Sequence, residues 1–187
     1  MSDGKYDDLL ETTISSDTVF DGKVFKTVVK KVKLSDGSVA GREIVLHNGG
    51  ACVLAVDDDL NCYMVRQFRS PFEEILLEVP AGKIEPGEDP RECAVRELHE
   101  EAGLLADEII DLGSEIASPG YDSEIIWLYA ARGLHQVGSK PDEGEILNCE
   151  IISLKELVAM ADSGKIRDSK TQLCIYKTIR RLGLEQL

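Results

Sequence analysis

The sequence predicts an α+β chain: a mixed-sheet sandwich with a small antiparallel sheet ahead of it. Three observations carry this. Short β-branched and apolar runs mix with helical stretches without regular alternation, which disfavours a doubly wound parallel sheet. The first of these runs are joined by tight turn signals, as in an antiparallel meander. One run, residues 51–56, is apolar throughout, as a strand buried on both faces must be.

Taken in order, residues 1–16 are polar and read as frayed or loosely docked. Residues 19–25 read as a strand with a turn, and 25–34, rich in Val, as a second strand. Asp36-Gly37 marks a turn, and 40–47 returns as a third strand. Asn48-Gly49-Gly50 breaks the run before the buried strand. Asp57-Asp58-Asp59 is a solvated turn, followed by strands at 61–69 and 75–79. A helix is expected at 90–102, with Asp89 as N-cap, Pro90 in its first position and Gly103 as its left-handed stop. Strands follow at 109–116, 124–131 and 146–152, with a long polar loop at 133–144. Ser153 and Glu156 form a capping box for a helix that stops near Gly164, and a last helix covers 169–182. This gives two expected regions: N-terminal strands at 1–47 and a main domain at 48–187.

The composition narrows the function. With 187 residues and 43% hydrophobic content, one domain with a small extension can build a real core. The net charge of −14 disfavours nucleic-acid binding through phosphates. No apolar run of about 18 residues predicts a membrane span, and no secretory signal is seen. Five cysteines without a CxxC pair read as buried thiols, and the expected location is cytoplasmic.

The chemistry concentrates between Gly82 and Leu104, a Gly- and Pro-rich loop followed by the helix. Glu97, Glu100 and Glu101 stand at i, i+3 and i+4 and share one helical face. Like charges at that spacing repel, and a divalent cation removes the repulsion. Magnesium suits such carboxylates because it prefers oxygen ligands and keeps waters. Arg96 sits among the acids, where a pair with Glu92 or Glu100 would orient a metal-binding carboxylate.

The full spacing, through Gly82, Glu88, Arg96, Glu97, Leu98, Glu100, Glu101, Gly103 and Leu104, resembles the motif of the Nudix hydrolase family at every fixed position. The resemblance implies an α/β/α sandwich around a mixed sheet and hydrolysis of a nucleoside diphosphate linked to another group. Residues 66–69, 78–82 and 118–120 resemble the ADP-ribose pyrophosphatase branch. By motif position, Glu97 and Glu101 are metal ligands together with the Ala81 carbonyl, and Glu100 is a near neighbour acting through water. Arg96 is the orienting residue and Glu88 a supporting acid for an outer metal or a loop contact. The branch resemblance makes Arg69, Arg42, Glu78 and Pro119 substrate-binding positions. It puts the catalytic base on a late loop, with Glu143 as base, Asp142 as the neighbouring candidate, and Glu145 as a further metal ligand.

The expected reaction is metal-activated water attack on the pyrophosphate of a nucleoside diphosphate sugar, ADP-ribose giving AMP and ribose 5-phosphate. The cofactor is Mg2+, with Mn2+ as the alternative, in two or three ions. The implied state is a homodimer whose residues 1–47 contribute to the interface. Phe20 and Phe25 read as core or as an adenine stack. The alternatives are a GDP-mannose or UDP-sugar pyrophosphatase, or a non-catalytic nucleotide-sensing module. The intact acids and the absence of an appended basic domain count against the sensing module.

Overall fold

The computed structural model describes residues 5–139 and 146–186. The chain divides into two compact units, one of Met1–Asn48 with Ile116–Glu124, the other of Gly49–Glu115 with Ile125–Leu187.

In the first unit a 3-10 turn at Asp7–Leu9 precedes β1 (Thr12–Asp21), β2 (Phe25–Lys33) and β3 (Val39–His47), which form an antiparallel sheet in that order. The strand β1 corrects the expectation of a frayed start through residue 16. Its residues are exposed almost throughout, so no apolar alternation marks it. It is held by its backbone ladder to β2, which two irregularities interrupt. At the turn before β3, Asp36 Oδ1 accepts from the Ser38 N–H at 2.8 Å. Residues 117–124 run beside β3, with the Val45 N–H donating to the Tyr121 carbonyl at 2.7 Å.

The second unit is built on β4 (Gly50–Val56), β5 (Asn61–Arg69), β6 (Glu74–Glu78), β7 (Ala81–Lys83), α1 (Pro90–Ala102), β8 (Leu104–Ile116), β9 (Ile125–Gln136), β10 (Leu147–Ser153), α2 (Leu154–Asp162) and α3 (Ser169–Leu182). Among the described residues the sheet has seven strands in the order β10-β5-β4-β9-β8, with β6 on β5 and β7 on β4. It is mixed, since β4 runs parallel to β9 and antiparallel to β5 and β7.

Every residue of β4 is buried. Its side chains alternate between two cores. Cys52, Leu54 and Val56 pack with Leu154, Leu157, Cys174 and Ile175 of α2 and α3. Ala51, Val53 and Ala55 pack with Cys93, Ala94 and Leu98 of α1. Helices therefore cover both faces, which is the α/β/α sandwich. Each fully buried Leu contributes roughly 1.5–3 kcal/mol relative to exposure.

The caps follow the sequence. Asp89 accepts from the Arg91 N–H at 2.9 Å, and Gly103 at φ 68 closes α1 by donating to the His99 carbonyl. Ser153 caps α2 and Asp168 caps α3. Three boundaries differ from expectation. Residues 81–83 form β7 rather than loop, because they pair with β4. The strand β8 starts at Leu104, directly after the helix stop. The strand β9 continues to Gln136, where Gly133 at φ 65 lies so close to the Asp107 side chain that a Cβ would meet it at 2.7 Å. No helix among the described residues is long and apolar enough to cross a membrane.

Thr178 is fully buried in α3, and among the described residues its hydroxyl has no hydrogen-bond partner. Thr178→Val removes that desolvated hydroxyl at nearly constant shape and is expected to be neutral or stabilising by up to about 1 kcal/mol in urea denaturation. A loss of stability beyond that size would mean that the hydroxyl is bonded in solution.

Candidate active site

The helix α1 has an inner face that packs and an acidic face that turns toward β7. Glu97 and Glu101, one turn apart, are only 7% and 3% exposed, while Glu100 is half-buried. Two carboxylates with so little solvent need fixed partners.

Arg96 is one of the partners of Glu97. Its Nε donates to Glu88 Oε1 at 2.8 Å and its Nη2 to Glu88 Oε2 at 3.1 Å, a bidentate grip. Its Nη1 donates to Glu97 Oε1 at 2.6 Å and to Glu100 Oε2 at 2.9 Å. Its Nη2 also reaches the Lys83 carbonyl at 3.1 Å. Hydrogen bonding from Arg96 holds the Glu88 carboxyl below its ordinary range, and Glu88 in turn raises the pKa of the guanidinium. Of the two partners expected from helical spacing, Glu100 is present, and Glu92 is replaced by Glu88 of the preceding loop. Glu88 also accepts from the Glu85 N–H at 2.8 Å, so it is a loop contact.

Gly82 explains its own place in the motif. A Cβ built there would stand 1.7 Å from Glu97 Oε1. Only a residue without a side chain lets β7 pass so close to that carboxylate. One residue earlier, the Ala81 N–H donates to Glu101 Oε2 at 2.8 Å. The helix acids are thus packed directly against the backbone of residues 81 and 82.

A second charged cluster adjoins this one. Glu78, 2% exposed at the end of β6, accepts from Arg69 Nε at 2.7 Å and Nη2 at 2.8 Å, and also pairs with Lys170. Lys170 Nζ lies 2.9 Å from Asp168 Oδ2 as well. Burial pushes the Glu78 carboxyl up, but the Arg69 hydrogen bond and the Lys170 charge outweigh it and hold the group down at about 2. Arg69 stays partly exposed, with a side-chain accessibility of 36%.

The donor set fits a hard divalent cation. Among the described residues no three His, Cys, Asp or Glu side chains converge into a complete cage. Two buried carboxylates beside main-chain atoms, with the remaining positions left to water and substrate oxygens, are what magnesium commonly takes.

Residues 46–172 match the NUDIX domain model. The chain belongs to the Nudix family. It is 38% identical to an ADP-ribose pyrophosphatase of Bacillus subtilis (strain 168), covering 89% of this chain and 91% of the relative. It is 40% identical to a methanol dehydrogenase activator of Bacillus methanolicus, covering 88% and 90%. A crystal structure of an ADP compounds hydrolase superposes with a TM-score of 0.81 at 23% identity, over 95% of this chain and 97% of that one, and so shares the fold.

The Nudix motif residues Gly82, Glu88, Arg96, Glu97, Glu100 and Glu101 are brought together, along with Ala81. Gly103 supports them from the helix end, where its carbonyl accepts from the Val137 N–H at 2.8 Å. Arg69 and Glu78 form the adjoining cluster. Arg42 and Pro119 belong to the first unit, where Arg42 pairs with Glu11 and Pro119 is exposed in a turn. Asp142, Glu143 and Glu145 lie outside the described residues. The sequence reading missed Lys170 and Asp168, and the only signal for them is Asp168 as a capping residue ahead of the last helix. An open cavity of about 480 Å³ runs along α1 beside Arg91, Val95 and His99, and neither Glu97 nor Glu101 lines it.

Gly82→Ala must displace the Glu97 carboxylate, and it is expected to lower kcat/KM by roughly two orders of magnitude while circular dichroism stays unchanged. Activity within a few-fold of wild type would show that Glu97 is free to move. Glu78 carries a pH signature. Its folded value of about 2 lies below the ordinary 4.5, so its stabilisation is present above about pH 4.5 and is lost as pH falls toward 2. The stability gap between wild type and Glu78→Gln, measured by urea denaturation, should therefore narrow across that window, and a constant gap would contradict the assignment.

Proposed function

We propose that the protein is a magnesium-dependent hydrolase of nucleoside diphosphate sugars, with ADP-ribose, cleaved to AMP and ribose 5-phosphate, as the favoured substrate. The observation that carries the reading is the pair of buried carboxylates, Glu97 and Glu101, packed on the backbone of residues 81 and 82 within a complete Nudix motif. A hydrolase acting on pyrophosphate bonds follows from family membership together with the Bacillus subtilis relative, and the choice of ADP-ribose rests on that relative's name.

In this reading Glu97, Glu101 and the Ala81 carbonyl hold Mg2+ or Mn2+, with Glu145 as a further ligand and Glu100 acting through water. The bound ions supply Lewis-acid chemistry, neutralising phosphate charge and making water acidic. Arg96 fixes Glu97 and Glu100 in place. Arg69 faces the diphosphate or the terminal ribose, and Arg42, Glu78 and Pro119 complete the substrate contacts. Glu143 accepts the proton of the attacking water. Residues 1–47 form a dimerisation region and 48–187 the hydrolase domain of a cytoplasmic homodimer. The exposed apolar side chains Ile14, Val19, Phe20 and Val39 in the first unit support that reading.

Glu97→Gln and Glu101→Gln are each expected to lower kcat by roughly a thousandfold with the fold unchanged, and a chelator should abolish activity until magnesium is restored. The substrate test is a panel of ADP-ribose, GDP-mannose and UDP-glucose with wild-type protein and magnesium. Fastest turnover of ADP-ribose supports the reading, faster turnover of GDP-mannose overturns the substrate, and no turnover of any of them overturns the enzyme.

A further inference from the structure

The first turn of α3 contributes no residue to the Nudix motif, yet it is built against the same site. Lys170 is 12% exposed and meets Glu78 and Asp168. Its neighbour Thr171 accepts from the Val79 N–H at 3.0 Å through its hydroxyl oxygen, and that hydroxyl donates to Asp168 Oδ2 at 2.5 Å. The turn thus fixes the chain that leads from Glu78 to Ala81. Arg69 is gripped along one edge, Nε and Nη2, by Glu78. Among the described residues its Nη1 makes no hydrogen bond, and the guanidinium is partly open. It stands in the field of three acids, Glu78, Glu101 and Asp168. With only Arg69 to balance them, these acids would consume the charge that an anionic ligand needs to meet.

We propose that Lys170 is a positioning residue for diphosphate recognition: by offsetting Glu78 and Asp168 it leaves Arg69 oriented, with its outer edge acting as a cation toward the substrate. This rests on the reading of Arg69 as a diphosphate contact. Removing the ammonium leaves the buried Glu78 and the half-buried Asp168 against one guanidinium, close to Glu101 and to an incoming anion. The loss falls on ground-state and transition-state binding alike, so it appears in affinity rather than in the chemical step.

The test is equilibrium binding of ADP-ribose by calorimetry in the presence of a chelator, together with KM, kcat and Tm with magnesium. Lys170→Met is expected to weaken binding and raise KM by about tenfold, with kcat within about twofold of wild type. Lys170→Arg, which keeps the charge, should restore affinity to within about threefold. If Lys170→Met does not fold, Lys170→Gln against Lys170→Arg carries the same comparison, with glutamine weakening binding and arginine preserving it. A lowered Tm with Kd and KM unchanged makes Lys170 merely structural and overturns the proposal. Arg69→Ala separates the two levels. If it leaves Kd unchanged, the reading of Arg69 as a diphosphate contact fails. If it weakens binding while the charge-removing Lys170 variants do not, the proposal alone fails.

Discussion

The guanidinium of Arg96 holds the site together. Three glutamates at i, i+3 and i+4 of one helix repel one another, and burial increases that repulsion because water no longer screens it. Arg96 answers with a planar fork that donates to Glu97, to Glu100 and twice to Glu88. Its geometry is what a lysine could not reproduce. The grip on Glu88 ties the loop to the helix, and the bond to the Lys83 carbonyl ties in the end of β7. The acids are therefore partly neutralised by the protein itself.

That arrangement needs a rigid floor, and β4 provides it. Buried at every residue and paired with β7, it sets the height at which residues 81 and 82 meet the helix. The α1 side of the core, through Cys93, Ala94 and Leu98, fixes the rotation of the helix, so Glu97 and Glu101 face the β7 backbone. Gly82 then removes the one Cβ that would intrude. A site on a strand and a helix held this way keeps its carboxylates in place, which is the preorganisation that catalysis by fixed charges requires.

The sequence revealed the parts whose signals are local. The α1 boundaries were legible from Asp89, Pro90 and Gly103, and the acid spacing from helical period. The burial of β4 was legible from an unbroken apolar run. What was not legible depends on distant contacts. Lys170 meets Glu78 across 92 positions of chain, and nothing near either residue announces the pairing. Arg96 was expected to pair with Glu92 or Glu100, one turn to either side, and it does pair with Glu100. In place of Glu92 it takes Glu88, because the loop folds back to offer both carboxylate oxygens to the fork. The start of β1, ahead of the strand read at 19–25, escaped notice because it buries almost nothing, so a polar run gave no period to read. The short strand β7 looked like loop because Gly82 is there for closeness, not for a turn.

If Glu97 and Glu101, held against residues 81 and 82, form the proposed divalent-cation site, both are needed to hold the ion. Binding of Mn2+ followed by electron paramagnetic resonance tests it without reference to turnover, comparing wild type with the double variant Glu97→Gln/Glu101→Gln. Wild type is expected to bind Mn2+ in competition with Mg2+, and the double variant, with wild-type circular dichroism, to lose that binding. Equal binding by the two proteins would contradict it.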